Sequence, residues 1–215
     1  MMNTKKLVKF YPPLEEKINI ITHAIGAVGS LIALVLFVQK GMQIEDKTYL
    51  ISVIVYAVCM FLLFLSSSLY HCATDIEIRQ KLKVFDHAAI YLMIAGTYTP
   101  FCLVTLSDSI GWILFAVVWG LAVIGVVLKV FFTGRFGVVS TIAYVVMGWI
   151  ILFAYKPLAE NLRGDGMYWL IAGGVSFTVG ALVYMIPKIK FHHAIFHVFV
   201  LIGGACHFVS IYYSV

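Results

Sequence analysis

The chain has 215 residues, of which 62% are hydrophobic and 12% charged, and its mean hydropathy is +1.01. Soluble domains carry about 25% charged and about 45–50% apolar residues, so this chain has too little polar surface to cover a core in water. That excludes an ordinary soluble enzyme and makes lipid the solvent for most of the sequence. A membrane helix takes roughly 20 apolar residues to cross about 30 Å of hydrocarbon, and helices of that length with short loops use up the whole chain. The net charge of +5 and pI near 9.0 are read as membrane topology, and no nucleic-acid partner is expected. Cys59, Cys72, Cys102 and Cys206 follow no CxxC spacing, so neither a disulfide framework nor a zinc ribbon is read from them.

In chain order, apolar runs fall at 18–38, 49–70, 84–106, 110–132, 138–155, 167–187 and 191–213. They predict an all-α, seven-transmembrane helix bundle that forms a single polytopic membrane domain over 1–215. The first run follows Lys5, Lys6 and Lys9 but is longer than the about 7–15 apolar residues of a secretion signal, so it is read as a retained span. Turn chemistry separates the later runs at Thr133-Gly134-Arg135, at Pro157 and Arg163-Gly164-Asp165-Gly166, and at Pro187-Lys188. Pro100 is expected to kink the third helix. Gly26, Gly29, Gly173, Gly174, Gly203 and Gly204 are expected to permit close helix packing.

Eleven of the fifteen Lys and Arg residues fall on one side of such a bundle: Lys5, Lys6, Lys9, Lys17, Arg79, Lys81, Lys83, Lys129, Arg135, Lys188 and Lys190. Lys40, Lys47, Lys156 and Arg163 fall on the other. The positive-inside rule then predicts a cytoplasmic N-terminus and an outside C-terminus, the reverse of a G-protein-coupled receptor.

Ionisable residues inside membrane helices are costly and point to function. Glu16, Asn19 and His23 open the first helix, Ser67 and His71 close the second, Asp86 opens the third with His87, and His192, His193 and His197 open the seventh. Four segments thus deliver polar residues to one depth. Asn19 and His23, Ser67 and His71, and His193 and His197 are each four apart, so each pair shares a helix face. Two histidines at that spacing can chelate one metal, and His71 adds a third nitrogen, the donor number of catalytic zinc sites that keep one position open. Asp86 and Ser67 are the nearest oxygen groups. His87 and His192 face about 100° away from their neighbours on an α-helix and are read as interfacial. Cys72 is set aside as a ligand, and His207 is expected to hydrogen-bond a neighbouring helix.

Glu16-x-x-Asn19-x-x-x-His23, Ser67-x-x-x-His71, Asp86 followed by Ala95-Gly96-Thr97-Tyr98-Thr99-Pro100, and His193-x-x-x-His197 together resemble the hemolysin III branch of the progestin and adipoQ receptor family. The resemblance runs from the first helix to the seventh. It implies a seven-helix protein with a cytoplasmic amino end and Zn²⁺ held by His71, His193 and His197, with Asp86 and Ser67 near the zinc-activated water. Glu16, Asn19 and His23 are expected behind the ligands. The chain looks like a compact bacterial-type member, without the long amino-terminal extension of the animal receptors. The family is similar to alkaline ceramidases in this metal constellation, which implies a zinc-dependent hydrolase of a lipid amide or ester in membrane lipid homeostasis. On that expectation Asp86 is the general base, Ser67 orients the water or binds the oxyanion, and the partner is a membrane lipid in a bacterial plasma membrane. Self-association is left open. The competing expectation is a non-catalytic lipid or membrane-state sensor with structural zinc. Lysis of foreign membranes fits poorly with permanently inserted spans, and a transport path fits poorly with polar residues confined to one leaflet.

Overall fold

The computed structural model describes residues 8–108 and 110–215, so Lys5 and Lys6 lie outside the described residues. Among the described residues there are helices and no strands, and seven helices are long and apolar enough to span a membrane. They are α1 (Pro13–Ile44), α2 (Lys47–Cys72), α3 (Ile76–Thr105), α4 (Gly111–Phe132), α5 (Gly137–Asn161), α6 (Gly166–Tyr184) and α7 (His192–Ser214). The expected all-α seven-helix membrane architecture is therefore present, with α1, α2 and α3 extending beyond their apolar cores. α3 begins at Ile76 behind its Asp75 cap, so Asp86, expected to open the helix, lies about three turns into it.

Local chemistry starts and bends these helices. The Asp46 carboxylate accepts from the Thr48 and Tyr49 amides, and the Asp75 carboxylate from the Glu77 and Ile78 amides, so side chains satisfy orphan donors at the heads of α2 and α3. Pro13 opens α1, where a missing N–H costs nothing. After Pro100, α3 passes from α-helix into a π-helical turn over Phe101–Thr105, an irregularity of the kind found where a helix loses a regular backbone bond.

The fifth run continues past its expected end. Its α-helix gives way to a 3₁₀ segment at Trp149–Ala154, then resumes over Tyr155–Asn161. Pro157 falls in the first turn of the resumed helix, where proline is tolerated rather than terminating. Tyr98 of α3 repairs the break. Its hydroxyl lies 2.8 Å from the Gly148 carbonyl and 3.0 Å from that of Met147, and accepts from the Ile151 amide at 2.7 Å.

α1 packs on α2 and α7, α2 on α3, α3 on α4, and α6 on α7, whereas α5 touches α3 and α6 more sparsely. Hydroxyl-to-carbonyl hydrogen bonds tie helices together inside the bundle, from Tyr56 to Gly204, Ser176 to Phe199 and Ser210 to Gly166. A Cβ at Gly26 would lie 2.6 Å from the Phe64 ring and one at Gly203 2.9 Å from Phe177, so both glycines permit close approach. Gly29 differs from its expectation: it faces open space and brings no helix nearer. The outer faces are apolar, as with Ile21, Ile25, Val28, Ile32 and Val35 along α1, which suits lipid rather than water.

Candidate metal centre

Antiparallel packing brings the start of α1, the end of α2, the start of α3 and the start of α7 to one end of the bundle. There His71, His193 and His197, all buried, place ring nitrogens within 4.8 Å of one another. The Nε2 atoms of His71 and His193 are 3.2 Å apart, and those of His193 and His197 are 3.1 Å apart. The i, i+4 spacing on α7 supplies one pair, and α2 supplies the third nitrogen across the helix interface.

The other ring nitrogens show what this arrangement suits. His71 Nδ1 lies 2.6 Å from Glu16 Oε2, and His197 Nδ1 lies 3.3 Å from the Asn19 carbonyl oxygen. A carboxylate and a carbonyl only accept, so both Nδ1 atoms carry the proton and both Nε2 atoms are left as lone pairs. With His193 Nε2 as the third nitrogen, all three converge on one point, an arrangement that a cation among them would stabilise. The cluster can therefore hold a metal ion, on the donor chemistry of its own residues.

The structure places the remaining predicted residues around this centre. Asn19 accepts from His197 Nδ1 through its backbone carbonyl, and its side chain lies beside the His71 ring. His23 does not bond a ligand side chain. Its ring stacks on that of His197, with centroids 3.7 Å apart, and both of its nitrogens lack partners. Ser67 and Asp86 line a cavity together with His23, His193 and His197. The Ser67 hydroxyl is buried beside the Asp86 carboxyl. His87 lines the same cavity, while His192 sits against Tyr11 and Tyr184. Cys72 is exposed and outside the cluster. His207 bonds the Leu170 carbonyl of α6 at 3.2 Å, the fate expected of it.

This cavity measures ≈ 200 Å³, well beyond the roughly 10–15 Å³ that holds one water. It extends from the histidines between α3, α5 and α6 past Tyr98, Trp149 and Phe177 to His207. Thr97, Tyr98 and Phe101, on either side of Pro100, form part of its wall.

Three further residues belong to this region. Arg79, counted in the sequence as an orienting loop charge, lies in the first turn of α3 and is 1% exposed. Its guanidinium pairs with Glu16 Oε1 and also donates to the carbonyls of His71, Ala73 and Lys9. Tyr11 precedes α1, stacks on His193 with centroids 4.5 Å apart, and donates its amide to Glu16 at 3.0 Å. Burial pushes the Tyr11 phenol well above its ordinary pKa, so it covers the site as a neutral ring. Lys129, also counted as an orienting charge, turns inward and lines the cavity. Its signal was spacing, because it continues the inward stripe of Val118, Ala122 and Gly125 on α4. Arg79 and Tyr11 lie outside the apolar run of their helices and left no comparable periodicity.

The family model described as Haemolysin-III related matches residues 12–208. The chain is 43% identical over 213 residues to Hemolysin-3 of Bacillus cereus, covering 99% of this chain and 97% of that relative. It is 44% identical over 194 residues to the Hemolysin-3 homolog of Bacillus subtilis (strain 168), covering 90% and 91%. The human protein named monocyte to macrophage differentiation factor is 24% identical over 208 residues, covering 92% and 83%. With seven membrane helices and bacterial relatives matched along nearly their whole length, the chain belongs to the haemolysin III family of multi-pass bacterial membrane proteins.

Proposed function

We propose that the metal of this centre is zinc and that the protein is a zinc-dependent hydrolase of a lipid amide or ester in the cell membrane. The observation that carries this reading is the placement of an ionisable carboxyl, Asp86, and the neighbouring hydroxyl of Ser67 in the same largely apolar cavity as His193 and His197. A purely structural zinc site has four protein ligands, whereas catalytic sites have three and leave a position open. Three buried imidazoles match the catalytic set. Their 3.1–3.2 Å spacings also fit tetrahedral zinc, whose bonds of about 2.0–2.1 Å put neighbouring donors about 3.3 Å apart. The surplus of Lys and Arg at this end of the chain supports a site facing the cytoplasmic leaflet.

Zinc held there supplies Lewis acidity toward a carbonyl and activates water near neutral pH. Asp86 accepts the proton that the attacking water gives up and returns it to the leaving amine or alkoxide. Ser67 donates its hydroxyl to the oxygen on which negative charge develops. Glu16 and the Asn19 carbonyl hold His71 and His197 in the tautomer that presents Nε2. The apolar cavity wall receives the chain of the lipid and keeps bulk water away.

The alternative is a lipid sensor with structural zinc, and one observation favours it: Tyr11 stacks over His193 and covers the centre. Metal analysis of purified protein tests the zinc assignment, since the His193→Ala/His197→Ala double variant is expected to lose bound zinc and unchanged zinc content would overturn it. Comparative lipidomics of wild type and Asp86→Asn separates the two readings. A hydrolase shows a lipid pool depleted by wild type and restored in the variant with zinc retained. Equal turnover by both proteins removes Asp86 as the base.

A further inference from the structure

Lys129 stands in the last turn of α4, where a membrane lysine ordinarily runs its stem outward and keeps its ammonium in water. Here it follows Leu114, Val118, Ala122 and Gly125 on the buried stripe and is only 5% exposed. Its Nζ donates to Ser140 Oγ at 2.6 Å and lies 5.7 Å from the centre of the Tyr144 ring. Among the described residues no carboxylate stands within ion-pair distance of it, although Asp86 lines the same cavity. A hydroxyl and an aromatic face leave the charge of a buried ammonium unneutralised, and a buried charge without a counter-charge is strongly disfavoured.

A second source of positive potential adjoins it. α5 begins at Gly137 after Phe136, which has φ 55 and offers no side-chain cap, so the first amides of a long helix remain unbonded by any cap and carry the positive end of its dipole. Gly137, Ser140 and Thr141 from this first turn line the cavity with Lys129. Gly137, Thr141 and Tyr184 also border a second recess of ≈ 240 Å³, reached by Lys9, Tyr11 and His192 at the end of the bundle. Lys129 therefore lies where the cavity meets that end, and the apolar wall begins beyond it.

We propose that Lys129 and the first turn of α5 form an oxyanion site at the mouth of the cavity. Its ligand is an anionic lipid, held by a headgroup phosphate or carboxylate while its chain lies along the apolar wall. The lipid character of the ligand rests on the function proposed above. The oxyanion site itself requires no hydrolysis, so binding and turnover fail separately.

The test uses the full chain in nanodiscs, with fluorescent phosphatidylglycerol as the anionic probe, phosphatidylcholine as the zwitterionic one, and inorganic phosphate as competitor. Wild type is expected to prefer the anionic probe by about tenfold or more, the scale of one charge-assisted hydrogen bond. Lys129→Met is expected to abolish the preference with metal content and melting temperature retained, and Lys129→Arg to keep it. Should Lys129→Met fail to fold, Ser140→Ala together with Lys129→Arg reads the same site, with a weakened preference expected only in the former. Equal binding of both probes by wild type, an undiminished preference in Lys129→Met, or displacement of the anionic lipid by an equal concentration of inorganic phosphate would overturn the proposal. Loss of lipid turnover in Asp86→Asn with the preference intact leaves the oxyanion site standing, and an intact preference without any turnover counts against the hydrolase alone.

Discussion

Glu16 Oε2 lies 2.6 Å from His71 Nδ1, so a carboxylate on α1 sets which nitrogen of a histidine on α2 faces His193 and His197. Carboxylate partners of this kind orient the ring and raise its basicity as a ligand, and their removal typically lowers metal affinity 10–100-fold. Glu16→Gln is accordingly expected to weaken zinc binding by about 10–100-fold, read by competition with a graded chelator. Wild-type affinity in that variant would remove Glu16 from the support of the site.

Arg79 is the counterpart of Glu16 on the side away from the histidine cluster. It joins α3 to α1 by an ion pair and to α2 and the N-terminal segment through three carbonyls. Taking one partner from a buried pair leaves an uncompensated charge, at a cost of about 3–5 kcal/mol. Arg79→Met is expected to lower the melting temperature in detergent by that scale. The double variant Glu16→Gln/Arg79→Met is expected to lose less than the sum of the two single losses, and strict additivity would show that the two residues act independently.

Tyr11 covers His193 from a segment outside the helices. Ring stacking of this kind contributes about 0.5–1.5 kcal/mol, so Tyr11→Ala is expected to speed chelator stripping of the metal by up to about tenfold. The metal content at equilibrium should stay near one ion per chain. A stripping rate equal to wild type would show that the ring does not limit access.

The hydroxyl of Tyr98 serves a structural purpose separate from the metal. Tyr98→Phe leaves the Gly148 carbonyl and the Ile151 amide without it, a penalty of about 1–3 kcal/mol for buried groups left unpaired. Thermal stability is expected to fall with zinc content unchanged, and a simultaneous loss of zinc would mean that α5 positions the metal centre.

Much of this was legible in the sequence. The seven spans follow from apolar length, and the triad follows from i, i+4 spacing combined with the depth at which each helix crosses the membrane. The break in α5 was not legible, because Trp149–Ala154 is as apolar as a regular helix and its missing hydrogen bonds are made by a tyrosine fifty residues earlier in the chain. Arg79 and Lys129 were hidden for another reason. A basic residue near a helix end carries the same topological signal whether it points to water or into the bundle, and only tertiary packing decides between the two.

The contact between Tyr98 and α5 also governs how the interior can be reached. One phenol holds both lips of the interrupted helix, and parting α5 from α3 at that height would turn a carbonyl and an amide toward hydrocarbon, at several kcal/mol each. The flank of the bundle between α3 and α5 is thus latched partway along the cavity. An occupant of the cavity that leaves this latch closed would have to enter lengthwise, past the His193 end of the bundle.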